Sequence, residues 1–277
     1  FSVAQSVENT GTAEVSLYPY GMLRQEGMPS DLQNFFILHE GLVRMTDGTL
    51  EEVKYKKMLD FAVDDRYGTN AERQDVTSAG WIGYTDHYWM TTLIPNQAVP
   101  FRSVAKYFPG RDIFQAEAVQ DAQTVAPGAT ASVTTQLFAG AKEWETIRDY
   151  QAAGVTGFVD SIDWGWFFFL TKPIFWVLHH LNLLIGNMGF AIIALTFFLK
   201  LLVLPLAYKS YVSMAKMKEL QPEMEKLKER AGDDKSQLQT GMMKLYKENK
   251  VNPAAGCLPI LIQIPIFFSL YKVIFVT

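Results

Sequence analysis

Residues 187–206 read NMGFAIIALTFFLKLLVLPL, and Lys200 is the only charge among them. About 20 predominantly apolar residues cross the hydrocarbon core of a bilayer as a helix. On insertion scales each Leu, Ile, Phe or Val contributes roughly −0.3 to −0.6 kcal/mol, and a central Lys costs roughly 3 kcal/mol. More than ten strong contributors outweigh one cation here, so the segment is expected to insert, with Pro205 marking its exit. An ammonium group placed in hydrocarbon then asks for a reason.

On the C-terminal side the character changes at once. Residues 207–255 hold 10 Lys+Arg against 7 Asp+Glu. Met217, Leu220, Met224 and Leu227 follow spacings of three, four and three, the seam pattern of a coiled coil; Leu238, Met242 and Leu245 repeat the idea. Gly232 and Asp233 read as a stop and a new N-cap, and Pro222 as a helix start or a kink. The expectation is a water-exposed antiparallel helical hairpin. Residues 256–277, GCLPILIQIPIFFSLYKVIFVT, begin a second span, whose Pro259 and Pro265 are tolerable in a membrane helix. Two spans are too few for a complete groove or pore, so further helices are expected in the intact protein.

On the N-terminal side, residues 161–186 carry Trp164, Trp166 and Trp176 with Lys172, Pro173, His179 and His180 among apolar residues. An interfacial amphipathic helix fits, with rings at headgroup level; a buried amphipathic helix of a soluble domain is the alternative. Residues 1–160 read as a β-sandwich. Short runs rich in β-branched and aromatic residues at 12–20, 34–39, 51–59, 81–85, 87–95, 101–108 and 131–138 are separated by Gly, Pro, Asn or Asp. A helical pattern over 141–154 closes that domain. The opening FSVAQSVENTG reads as the middle of a folded domain, so the chain reads as a fragment. The fold class is therefore a multi-domain membrane protein: a partial β-sandwich (1–160), an interfacial helix (161–186), a transmembrane helix (187–206), a helical hairpin (207–255) and a second transmembrane helix (256–277).

The charge balance orients it. The overall formal charge is −4, yet residues 1–186 hold 13 Lys+Arg against 22 Asp+Glu. The basic block between the spans is expected in the cytoplasm, and the first domain outside, in the bacterial periplasm. A mixed-sign basic block without an aromatic array argues against nucleic acid. His39, His87, His179 and His180 lack metal-site spacing, and no phosphate-binding or nucleophile-elbow motif occurs, so no enzyme, metal or cofactor is expected. The single cysteine, Cys257, reads as a packing residue.

Lys200 lies about 10 Å along a helix from Ala207, within partial reach of snorkelling. Neither span holds an Asp or Glu. Thr196 sits four residues earlier on the same face and Gly189 continues the stripe. A polar stripe of this kind faces protein or water rather than lipid. Gln263 of the second span is a candidate for the same space; interhelical hydrogen bonding is the other fate of Thr196 and Gln263. A wet pocket around Lys200, open to the cytoplasm, would lower the cost of moving a polar or acidic tail of a guest protein out of water. Met217, Met224, Met242 and Met243 offer adaptable contacts on the hairpin, with an ordinary helix seam as the alternative for the first two. Met242 and Met243 are adjacent and cannot both face one seam.

The stretch GNMGFAIIALTFFLKLLVLPLAYKSYVSMAKMKELQPEMEKLKER, followed by GDDKSQLQTGMMKLYKENKVNPAAGCLPILIQIPIFFSLY, closely resembles the YidC/Oxa/Alb membrane protein insertases. The preceding β-rich domain points to the bacterial branch. The resemblance is specific over about 186–271. It implies an inner-membrane insertase and chaperone, acting alone or with the Sec translocon, on nascent membrane proteins. It also implies a hydrophilic groove open to cytoplasm and lipid, and a hairpin that meets the ribosome or targeting factors. The groove cation in that family is commonly arginine; the matching residue here is Lys200, which keeps the charge but loses the planar fork. Thr196 falls on a second groove position. Two other classes remain open: a transporter or channel subunit binding an anion at Lys200, and a membrane-anchored periplasmic ligand-binding protein.

Overall fold

A computed structural model of the chain describes residues 1–32, 38–232, 234–249 and 258–276. Two compact units emerge, Phe1–Asp163 and Trp164–Phe275.

The first unit is a β-sandwich. Its strands are β1 (Ser2–Glu8), β2 (Val15–Leu17), β3 (Tyr20–Glu26), β4 (Gly41–Thr46), β5 (Thr49–Lys54), β6 (Val63–Asp64), β7 (Thr69–Val76), β8 (Gly80–Thr85), β9 (Trp89–Ile94), β10 (Phe101–Phe108), β11 (Ile113–Gln120), β12 (Gln123–Val125) and β13 (Thr130–Ala141). A six-stranded sheet, β1-β13-β9-β8-β4-β5, packs on a five-stranded sheet, β3-β11-β10-β7-β6, with a small β12-β2 ribbon beside them. The core between the sheets comes from alternate residues: Leu42, Ile82 and Tyr84 on one side, Phe101, Tyr107 and Phe114 on the other. A one-turn helix, α1 (Tyr55–Met58), closes one end of this core: Tyr55 stacks on Tyr84 and meets Phe114 edge-on at 5.0 Å. The opposite face of the six-stranded sheet is covered by α2 (Trp144–Ala152) and a 3₁₀ turn, Phe158–Ser161. There the buried Trp81 donates its indole N–H to the Thr156 carbonyl at 3.0 Å and meets Phe158 edge-on.

Several expectations change in this unit. The run 51–59 is a strand only to Lys54, because the chain turns into α1. The expected strand at 34–39 falls largely outside the described residues; Leu38 to Glu40 are not in a strand. Strands β1, β3, β4, β6, β7, β11 and β12 have no counterpart among the expected runs. The β4–β5 turn, Asp47-Gly48, has both residues at positive φ (48° and 86°), the pairing that Asp-Gly supplies in a two-residue hairpin. Asp47 also accepts from the backbone N–H groups of Thr77 and Ser78, which holds its carboxyl well below the usual carboxylate range.

His39 is a buried titratable group. Its Nε2 lies 2.9 Å from the Leu42 carbonyl and therefore carries the proton, and its backbone N–H donates to Asp163 at 2.9 Å. Burial lowers its pKa from 6.5 to about 4, against the raising effects of the Leu42 carbonyl and Asp163. The neutral form is favoured by the fold, so the unfolded chain takes up the proton first as pH falls. Stability present above pH 6.5 is lost between there and pH 4, by about 3 kcal/mol from this group. Thermal melting followed across that window should show the slope in the parent and lose this part of it in His39→Leu.

The second unit is helical: α3 (Phe168–Ile185), α4 (Met188–Glu219), α5 (Gln221–Ala231), α6 (Lys235–Glu248) and α7 (Leu258–Val276). Gly186, at φ 72°, ends α3, and the Asn187 side chain caps α4 by accepting from the Phe190 N–H. Helices α3 and α4 pack on one another. By length and composition both could cross a membrane, while the apolar stretch of α7 over Ile260–Phe275 is shorter.

Helix α4 does not end at Pro205. It runs on for 14 residues, and its 32 residues span about 48 Å against a hydrocarbon core of about 30 Å. Met217 consequently lies on α4, outside the two-helix hairpin expected to contain it. That hairpin is α5 and α6, with Pro222 in the first turn of α5. The cap of α6 is Asp234, which accepts from the N–H groups of Ser236 and Gln237; Asp233 lies outside the described residues. Contacts pair early α5 with late α6, so the two run antiparallel: Met224 with Tyr246, and Leu227 with Gly241.

Candidate functional site

The α3-packed face of α4 is marked by Ala191 and Leu195, both fully buried. At roughly 100° per residue, Lys200 lies about 140° or more around the helix from both, and Thr196 and Gly189 fall close to the same azimuth. The polar stripe of α4 therefore points away from α3. Lys200 is exposed and Thr196 is half-buried, with its hydroxyl donating to the Ile192 carbonyl at 2.8 Å. That bond uses the hydroxyl proton and leaves the oxygen's lone pairs as acceptors. Among the described residues Lys200 forms no ion pair. Pro205 has no N–H to offer the Leu201 carbonyl, so a backbone acceptor is freed one residue from Lys200. Exposed Ile193, Phe197 and Leu204 flank the stripe. The arrangement is a cation, a hydroxyl and a free carbonyl on a slide of apolar side chains.

Gln263 is exposed on α7, two residues past Leu261, whose carbonyl is freed in the same way by Pro265. Among the described residues α7 has no extended packing on α4, so Gln263 is not brought together with Lys200 and Thr196. The sequence reading also passed over Lys272, a cation in α7 only 4% exposed. Its stem lies against Gly165, where an added Cβ would meet the Lys272 Cε at 3.7 Å. Ser269, one turn earlier, is buried as well. The signal was present as the lone charge of SLYKVIF.

On the hairpin, Met224 is half-buried and its sulfur accepts from the Tyr246 hydroxyl at 3.6 Å. Met242 is half-buried and Met243 is 66% exposed, so the adjacent pair faces two ways. Met217 is half-buried on α4.

Comparison with known proteins bears on the whole chain. Residues 1–177 match the family model described as the YidC periplasmic domain, and residues 180–277 match the 60Kd inner membrane protein model. Among relatives named "Membrane protein insertase YidC", the protein of Cereibacter sphaeroides (strain ATCC 17029) is 67% identical over 287 residues, covering 100% of this chain and 46% of its own. That of Ruegeria sp. (strain TM1040) is 65% identical with the same coverage, and that of Jannaschia sp. (strain CCS1) 62% identical, with 47% of its own length covered. The chain thus spans about half the length of these relatives. It belongs to the YidC family of bacterial inner-membrane proteins, as both family models and these relatives show.

Proposed function

We propose that this chain is part of a membrane protein insertase and chaperone, in which the Lys200 face of α4 receives the polar segment of a nascent membrane protein. The single observation that carries this reading is the direction of the stripe. Gly189, Thr196 and Lys200 sit on the side of α4 opposite the Ala191–Leu195 contact with α3, where a guest segment or helices beyond this chain would meet them. An ionisable residue in a span is a functional candidate by default.

The work done is desolvation control, without covalent chemistry. A guest's acidic or polar tail leaving water loses hydration; an ammonium, a hydroxyl oxygen and a freed carbonyl replace part of it. The guest's apolar segment meanwhile slides past Ile193, Phe197 and Leu204 toward lipid. In this reading Gln263 approaches the same groove in the complete protein, and α3 lies along the periplasmic membrane surface. The hairpin stands in the cytoplasm and presents Met242 or Met243 to varied partners, including ribosome or targeting factors. The Sec translocon is a second partner for clients with large translocated domains.

Photo-crosslinkers placed at 196, 200 and 263 of the full-length protein test the reading in cells making a membrane-protein client. Adducts with the nascent client are expected at 196 and 200, and none at Leu195, which faces α3. Equal yields at 195 and 200 would remove the stripe from the path.

A further inference from the structure

The end of the β-sandwich from which the chain leaves for the membrane carries an exposed aromatic knob. The β8–β9 turn holds His87 and Tyr88, stacked at 3.8 Å between centroids, followed by Trp89. Tyr88 is 56% and Trp89 63% exposed, and the two rings are adjacent in one tight turn. The turn is rigid. The Asp86 N–H donates to the Trp89 carbonyl, the Lys142 N–H donates to the Tyr88 carbonyl, and the Lys142 ammonium donates to the Thr85 hydroxyl and the Asp86 carbonyl.

Register places this knob beside the chain's exit. Gly41 pairs with Thr85 on one side and with Lys54 on the other. Two residues before Gly41, the His39 N–H holds the carboxylate of Asp163, the last residue of the unit. Five residues later the membrane-capable helix α3 begins. An extended link of that length reaches at most about 18 Å, so this end of the sandwich is tethered close to the bilayer surface.

The charge distribution agrees. Residues 1–163 hold 12 Lys+Arg against 22 Asp+Glu, and five of the twelve are lysine. Lys106 is buried with Glu117, and Lys142 braces the turn. The remaining three, Lys54, Lys56 and Lys57, are all exposed and all at this end. Of the nearby acids, Glu40 is buried, Asp163 binds His39 and Asp86 is half-buried, while Asp31, Asp60 and Glu143 are exposed, so the lysines face three solvated carboxylates at this end. The row Lys54–Gly41–Thr85–Met90 and on to β13 crosses the sheet end in about 20 Å at the usual strand spacing.

We infer that the His87–Tyr88–Trp89 turn, flanked by Lys54, Lys56 and Lys57, is a foot that rests this domain on the phosphate-bearing headgroups of the membrane. Tyr and Trp rings favour the headgroup level, where one end is apolar and the other wet. Lysines near an anionic surface add about 1 kcal/mol each, close to fivefold in binding. The foot fixes the domain's height and tilt, and it operates whether or not Lys200 handles clients.

The test uses the full-length protein, with Cys257→Ser, in nanodiscs of phosphatidylcholine with or without phosphatidylglycerol. A single cysteine is introduced beside the turn by Glu143→Cys or, at the far end of the sandwich, by Val99→Cys, and carries an environment-sensitive dye. Both positions are exposed, and unchanged melting confirms the fold. Lipids with nitroxide at the headgroup should quench the dye at 143 several-fold more than at 99, and more strongly with phosphatidylglycerol present. Replacing Lys54, Lys56 and Lys57 by Gln should lower the docked-to-undocked ratio about fivefold per lysine. Equal quenching at 143 and 99 would overturn the inference. So would shielding of 143 that appears only when another membrane protein is added, which would make this a protein-docking surface.

Discussion

Lys200→Ala should slow insertion of clients with acidic translocated tails at least about tenfold, while Lys200→Arg inserts them at close to the parental rate. The basis is Coulombic. Two unit charges 4 Å apart at an effective dielectric near 20 attract by about 4 kcal/mol, and each 1.4 kcal/mol is tenfold. A groove shared with water keeps only part of that, hence a lower bound near one decade. Arginine keeps the charge and adds a planar fork. Neutral-tailed clients should be affected far less, because they lose only a hydrogen bond, worth about 1 kcal/mol. Insertion is read by protease protection of the client's tail in inverted vesicles. Identical rates for parent, Ala and Arg proteins would take Lys200 out of the mechanism.

Removal of 221–248, replaced by a short Gly-Ser link, should leave the protein in the membrane yet abolish insertion. The boundary matters. A deletion beginning at 216 would cut the last turn of α4, which runs to Glu219, and would confound loss of the hairpin with damage to the span. Leaving α4 whole isolates α5 and α6. The milder companion is Met243→Glu, which places a charge on the exposed methionine and spares the Met224–Tyr246 contact. It is expected to lower crosslinking of the hairpin to cytoplasmic partners without altering melting. Normal insertion after deletion would make the hairpin a spacer.

The legible parts of this chain were those where one period dominates. FRSVAKYF is β10 from its first residue to its last, since alternate residues Phe101, Ala105 and Tyr107 face a continuous core. The first apolar run lies within α4 from Met188 on, with Asn187 as its cap, because so many consecutive apolar residues have few other ways to bury themselves. Strands β7 and β11 were illegible for a physical reason. In TNAERQDV the core face holds polar Asn70, Glu72 and Gln74 before Val76, and in IFQAEAVQ it holds Ala116 and Ala118 after Phe114 while Ile113 and Val119 fall on the other face, so the hydrophobic alternation is faint. Glu72 sits inward because it pairs with the fully buried Arg44 of the opposite sheet, a partnership no local pattern announces. The same holds for the site. Thr196 and Lys200 share a face because four residues make about one turn, but nothing in sequence spacing relates either to Gln263 on another helix. Lys272 is the lone charge of SLYKVIF, and no local pattern shows that its stem is buried against Gly165.

The central claim, a wet cationic face on α4, is tested most directly by thiol accessibility. In full-length protein carrying Cys257→Ser, single cysteines at 193, 196, 198, 200, 201 and 202 are exposed to a membrane-impermeant maleimide from the cytoplasmic side. Labelling at 193, 196 and 200 well above that at 198, 201 and 202 is the predicted pattern, since at roughly 100° per residue the first three lie within about 40° of the Lys200 azimuth and the others, also exposed on the helix, lie about 100° or more away. Uniformly absent labelling along the helix, or labelling at 198 and 202 equal to that at 200, would place Lys200 against lipid and contradict the account.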